Sequence, residues 1–104
     1  MNVMFKVQLN RKGDGDSIGT KVAIQRLSIE TNKESLLADL NEKLTQEFKE
    51  LRVPNITFDL FWKDVDNDYV RLYNNDSLVD AMKQMGGPVF ILYVSFTADN
   101  TDGE

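Results

Sequence analysis

Apolar residues in this chain change their spacing along the sequence, from every second position to every third and fourth and back again, and that alternation limits the folds open to it. Val3, Phe5, Val7 and Leu9 alternate with Met4, Lys6, Gln8 and Asn10. This is the period-two pattern of a strand buried on one face, and it turns Lys6 outward. Arg11 to Gly19 holds three glycines together with Asp14, Asp16 and Ser17, the composition of a loop longer than a tight hairpin needs. An extended pattern resumes over residues 21–29. Counting back from Ile29 through Leu27 to Ala23 gives one inward row and sets Arg26 and Ile24 on the outer face beside Lys6. The phase is not clean, because Gln25 falls in the inward row while Val22 and Ile24 fall outside it, and a bulge there would account for the slip.

The spacing then becomes helical. Thr31 and Glu34 have the separation of a capping box, so a helix is expected to start there. Leu36, Leu37, Leu40, Leu44, Phe48 and Leu51 form its buried stripe, with Glu42, Lys43, Glu47 and Lys49 in solvent and Pro54 as the stop. Ile56, Phe58, Leu60 and Trp62 return to alternation as a third strand, and Tyr69 to Leu72 reads as a short fourth. Asn74 or Asn75 is suited to cap a second helix with Leu78, Ala81, Met82 and Met85 inward, ended by Gly86-Gly87-Pro88. Val89 to Phe96 is apolar at almost every position, as in a central strand. Strand, strand, helix, strand, short strand, short helix, strand is the order of the ubiquitin-like β-grasp. The expected fold is therefore α+β, a mixed sheet of four to five strands packed on one long helix with a second short one.

Composition narrows the possible functions. With 104 residues, 41% of them apolar and 28% charged, the chain has material for one core. We expect a single interaction domain over residues 1–97 and a disordered acidic tail over 98–104. Cysteine and histidine are both absent, so disulfides, thiolate metal sites, the commonest general base and the commonest thiol nucleophile are all missing. No segment has the length of a spanning helix or the apolar core of a signal peptide, and a cytoplasmic setting without membrane partners is expected. A net charge of −5 argues against nucleic acid as a partner. The glycines of the first loop lack the Lys-Ser/Thr that would complete a phosphate-binding loop, and no cofactor or small-molecule substrate is expected. Catalysis by paired carboxylates would require a cleft, and an exposed acidic turn on so small a domain offers none.

That acidic turn follows the third strand as Asp64-Val65-Asp66-Asn67-Asp68, with Asp76 beyond the fourth. On its own, such a run is more often a solvated turn than a site. The stretch from Phe61 to Val70, continued to Asp76, resembles the acidic OPCA motif of the Phox-and-Bem-one (PB-one) domain: an aromatic-rich strand, alternating acids, a short strand and a further acid at a helix start. Val3-Met4-Phe5-Lys6 resembles that family's first-strand lysine. Ile24-Gln25-Arg26-Leu27-Ser28-Ile29 resembles its second-strand basic cluster, most closely in the sequestosome-type scaffolds of selective autophagy. The resemblance covers residues 3–96. It implies an acidic face of Asp64, Asp66, Asp68 and Asp76 and a basic face of Lys6 and Arg26, with Lys21 in support. It also implies front-to-back pairing with further copies or with other PB-one domains, for scaffolding or signalling. Gln25 departs from the pattern, standing where close relatives tend to carry a second arginine.

Other readings of the same residues make distinct expectations. An acidic face alone would make the chain an adaptor for a basic partner. The alternation of Asp64, Asp66 and Asp68 has the look of a calcium loop, but counting from Asp64 puts Tyr69 where the turn glycine belongs and Asn75 where the bidentate glutamate belongs, so no metal is expected. Gly86-Gly87 is internal and followed by Pro88, which suits a helix stop better than the conjugation tail of a modifier. Trp62, Met82 and Met85 are expected to fill the core.

Overall fold

The computed structural model describes residues 1–13, 18–54 and 56–97; the expected tail and most of the first loop's acidic portion lie outside them. Five strands form one mixed sheet. β1 (Asn2–Arg11) pairs antiparallel with β2 (Thr20–Glu30) and parallel with β5 (Val89–Thr97). β5 also pairs antiparallel with β3 (Thr57–Lys63), which pairs antiparallel with β4 (Tyr69–Leu72), so the order across the sheet is β2-β1-β5-β3-β4. The ubiquitin-like β-grasp read from the element order is the observed fold.

One face of this sheet holds the core. Val3, Phe5, Val7 and Leu9 are buried on β1, as the alternation requires, and meet Leu92, Val94 and Phe96 of β5 and Leu60 and Trp62 of β3. The helix α1 (Leu36–Glu47) closes over them with Leu36, Leu40 and Leu44, and α2 (Asn75–Met85) contributes Leu78 and Ala81. Met82 and Met85 are half-buried against the same cluster. At about 1.5–3 kcal/mol for each large apolar side chain removed from water, this single layer dominates the stabilisation. Among the described residues no helix covers the opposite face of the sheet, and Met4, Ile24 and Ile91 are exposed there.

The expected bulge is present. Leu9 pairs with Ala23 but Asn10 pairs with Lys21, so Val22 is the extra residue on β2. The slip turns Lys21 to the face of Asn10 and Lys6, where unbroken alternation would have sent it inward.

The start of α1 differs from the expectation. The Thr31 N–H still donates to the Met1 carbonyl at 2.9 Å, extending the ladder between the first two strands, and its hydroxyl donates to Asp39 Oδ2 at 2.6 Å. Thr31 is thus spoken for by the sheet, the capping box with Glu34 does not form, and the helix begins at Leu36. Asn32 Oδ1 instead accepts the Ser35 N–H at 3.0 Å. The helix also ends early, at Glu47. Phe48 turns extended (φ −110°, ψ 106°) and a 3₁₀ turn, Lys49–Leu51, follows, an arrangement in which both Phe48 and Leu51 stay buried.

The two helices are fastened by neighbouring asparagines. Asn74 caps α2 in a reciprocal box with Ser77: Asn74 Oδ1 accepts the Ser77 N–H at 2.8 Å and Ser77 Oγ accepts the Asn74 N–H at 3.1 Å. Asn75 Oδ1 reaches across to accept the Leu37 N–H at 2.8 Å, and its amide donates to the Lys33 carbonyl. One helix thereby satisfies an orphan donor in the first turn of the other. Gly86 ends α2 in the left-handed region (φ 85°), its N–H on the Met82 carbonyl.

Candidate interaction faces

The basic residues come together through strand register. Lys6 and Arg26 are directly opposed across β1 and β2, which sets their Cβ atoms about 4.5–5.5 Å apart on the uncovered face. Like charges so opposed are destabilising, and among the described residues neither is in an ion pair. Local conflicts left uncompensated within one molecule are commonly found at functional positions. Lys21, opposite Asn10, lies on the same face four residues along β1 from Lys6, roughly 13 Å away at ~3.3 Å per residue. It does not join the pair. Gln25 is on the other face, and its side-chain amide donates to Glu47 Oε1 at 2.8 Å. An arginine at this position would meet Glu47 beneath the sheet rather than widen the Lys6–Arg26 pair.

The acidic residues are gathered by a turn. The Asp64 N–H donates to the Asp68 carbonyl and the Asn67 N–H to the Asp64 carbonyl, both at 3.0 Å. Asp64 Oδ1 accepts the N–H groups of Asp66 at 2.9 Å and Asp68 at 3.0 Å. Asn67 sits at φ 65°, a left-handed conformation that asparagine tolerates better than most residues. Closed this way, the turn holds carboxylate oxygens of Asp64, Asp66 and Asp68 within 4.8 Å of one another. Asp64 therefore has a structural part that spacing alone did not reveal: one of its oxygens organises the backbone. Asp76 is not in this group. It stands past the far end of β4, exposed in the first turn of α2, where the helix dipole favours a negative charge.

Three converging carboxylates suit a compact cation, and an ammonium is one such cation. Calcium needs six to eight oxygens, whereas here one of the six carboxylate oxygens already holds two backbone donors. Titration with calcium should accordingly show no saturable binding tighter than ~1 mM, the weak end of extracellular modules. A micromolar isotherm by calorimetry would overturn this reading of the turn.

The surroundings of the turn include features that sequence reasoning did not assign. The Lys63 ammonium lies 5.0 Å from the Tyr69 ring centre and 6.0 Å from that of Tyr93, and the two rings meet edge to face at 5.1 Å. Arg71 pairs with Asp59 at 2.9 Å on the same sheet face. The signal for both was available in the β3–β4 register, which sets Lys63 opposite Tyr69 and Phe61 opposite Arg71. That register follows from the length of the turn, which the sequence left open.

The basic pair therefore lies on the β2–β1 side of the sheet and the acidic turn at the β3–β4 side, with β5 between them. The family model of the PB1 (Phox-and-Bem-one) domain matches residues 20–96. The chain belongs to the PB1 domain family. PB1 domains are protein–protein interaction modules rather than enzymes. Solved structures agree in fold. The AtNBR1-PB1 filament (L-type), a cryo-EM structure, is similar with a TM-score of 0.56 and 19% identity over 90% of this chain and 96% of that one. The AtNBR1-PB1 domain gives 0.55 and 18% identity over 89% and 94%. The solution structure of the PB1 domain of Cdc24p (long form) gives 0.52 and 19% identity over 89% and 93%. No curated protein sequence matches this PB1 domain. Among its described residues, no helix is long and apolar enough to cross a membrane.

Proposed function

We propose that this PB1 domain assembles front to back, the Lys6–Arg26 pair of one copy against the acidic turn of the next, either with itself or with other PB1 domains. The observation that carries the reading is the coexistence on one molecule of two charged groups of opposite sign, each unpaired among the described residues and set toward opposite edges of one sheet. The Lys6 ammonium acts as a point charge received by Asp64, Asp66 and Asp68. Arg26, planar and bidentate, is matched to Asp76, with Lys21 adding attraction at longer range. Because the two surfaces differ, the contact is heterologous. Repetition gives a ring where the rotation closes and a filament where it does not. The AtNBR1-PB1 domain forms a filament, and the likeness to sequestosome-type scaffolds favours the same kind of role here, a cytoplasmic scaffold in signalling or selective autophagy.

Light scattering across salt concentration tests this directly. The Debye length falls from ~10 Å at 0.1 M to ~3 Å at 1 M, so partly exposed ion pairs weaken and species mass should fall toward the monomer. Oligomers that keep or gain mass at 1 M would require an interface driven by apolar contact instead. A monomer at every salt concentration that still captures a basic PB1 partner would reduce the function to that of an acidic-face adaptor.

A further inference from the structure

The two charged surfaces each carry an exposed aliphatic group that the fold does not use. Val65 stands between Asp64 and Asp66 at the tip of the acidic turn and is 92% exposed, the highest value among the exposed large apolar residues. The turn beneath it is fixed by the two N–H donors on Asp64 Oδ1, so its outward position is built rather than incidental. On the uncovered sheet face, Ile91 lies directly across from Lys6 on β5, and Ile24 lies one diagonal step away on β2. They are 45% and 49% exposed. Ile91 thus flanks Lys6 across the sheet and Ile24 adjoins Arg26 along β2, with Lys6 and Gln8 of β1 between the two isoleucines, and the acids border an aliphatic side chain in turn.

We infer that Val65 of one copy docks between Ile24 and Ile91 of the next, giving the charged contact a small apolar centre. The occupant is a second copy of this chain, because the arrangement of charge around each apolar group is complementary: cations beside isoleucines on one surface, carboxylates around a valine on the other. The inference rests on the front-to-back reading, in which the acidic turn already meets the Lys6–Arg26 pair. A charge-only contact would discriminate poorly among acidic and basic partners. An apolar centre excludes water from the adjoining ion pairs, strengthens them and fixes register.

The test uses two full-length copies that pair only once. One, Lys6→Ala/Arg26→Ala, offers only its acidic turn; the other, Asp66→Asn/Asp68→Asn, offers only its basic pair. Into the first we place Val65→Ser and into the second Ile24→Ser; both sites are exposed, and circular dichroism should show both variants folded. Each substitution should weaken the heterodimer about tenfold, or ~1.4 kcal/mol, without changing the slope of log Kd against log salt. The two together should weaken it by clearly less than a hundredfold, because one contact is lost only once. If Kd stays within about twofold of the parent pair, or if the two losses multiply in full, the apolar contact is wrong while the pairing stands. If the two capped copies do not bind each other at all at low salt, the pairing itself falls and this inference with it.

Discussion

Lys6→Ala/Arg26→Ala and Asp66→Asn/Asp68→Asn copies will each be monomeric alone and will form a one-to-one heterodimer when mixed. Each variant loses one face and keeps the other, so the mixture contains one functional contact that cannot extend. Truncating one side of a desolvated charged pair costs ~2–5 kcal/mol, enough to abolish a micromolar contact of ~8 kcal/mol when two charges are removed. Asp64 is left intact on purpose. Its Oδ1 holds the Asp66 and Asp68 N–H groups, so removing it would confound loss of charge with collapse of the turn. Removing Lys6 or Arg26 also relieves the opposition of two cations across β1 and β2, and monomer stability should rise or hold, by up to ~1 kcal/mol. Sedimentation of the separate and mixed samples decides the matter. Two folded variants that remain monomeric together, or single variants that still polymerise as the parent does, would end the two-faced reading.

Phe5→Ala should do the reverse and destroy the fold. Phe5 is fully buried, with 0% of its surface exposed, and its ring packs 6.0 Å from that of Phe90. Large-to-small replacement of such a phenylalanine costs ~3–5 kcal/mol, against a total stability of ~5–15 kcal/mol for a native domain. At ~4–8 °C per kcal/mol for a domain of this size, the melting temperature should fall by at least ~12 °C. Thermal unfolding followed by circular dichroism gives the number; a shift under ~5 °C would mean that the core around β1 is not packed as described. With both outcomes in hand, adjacent residues of one strand would separate the two properties, Phe5 carrying stability and Lys6 assembly.

Much of this could be read from residue order because the relevant periods are local. The alternation at Val3 to Leu9 assigns Phe5 inward and Lys6 outward without knowledge of any other strand, and the glycine pair at Gly86-Gly87 marks the end of α2. What escaped sequence reasoning depends on pairing. Thr31 has the spacing of a helix cap, yet its N–H belongs to the ladder between β1 and β2, and only the register of those strands shows this. Asp64 looks like one acid among several until the closed turn shows its oxygen on two backbone donors. Ile91 sits in a run where nearly every residue is apolar, so nothing local separates the exposed position from buried Leu92. Asp76 resembles the further acid of the family motif by spacing, while its distance from the turn depends on how α2 folds back beyond β4.

The position of β5 has a consequence for how this protein comes into being. The chain is made from its amino end, and β5 is the last of the five described strands to be synthesised, yet it is hydrogen-bonded to β1 on one side and β3 on the other. The hairpin bearing Lys6 and Arg26 and the segment bearing Asp64 to Asp68 can each take local shape earlier, but they have no fixed relation until Val89–Thr97 is threaded between them. A nascent copy therefore cannot present both surfaces in rigid geometry before β5 is in place. Front-to-back assembly of the kind proposed would therefore await the insertion of β5, the strand that fixes the two surfaces relative to one another.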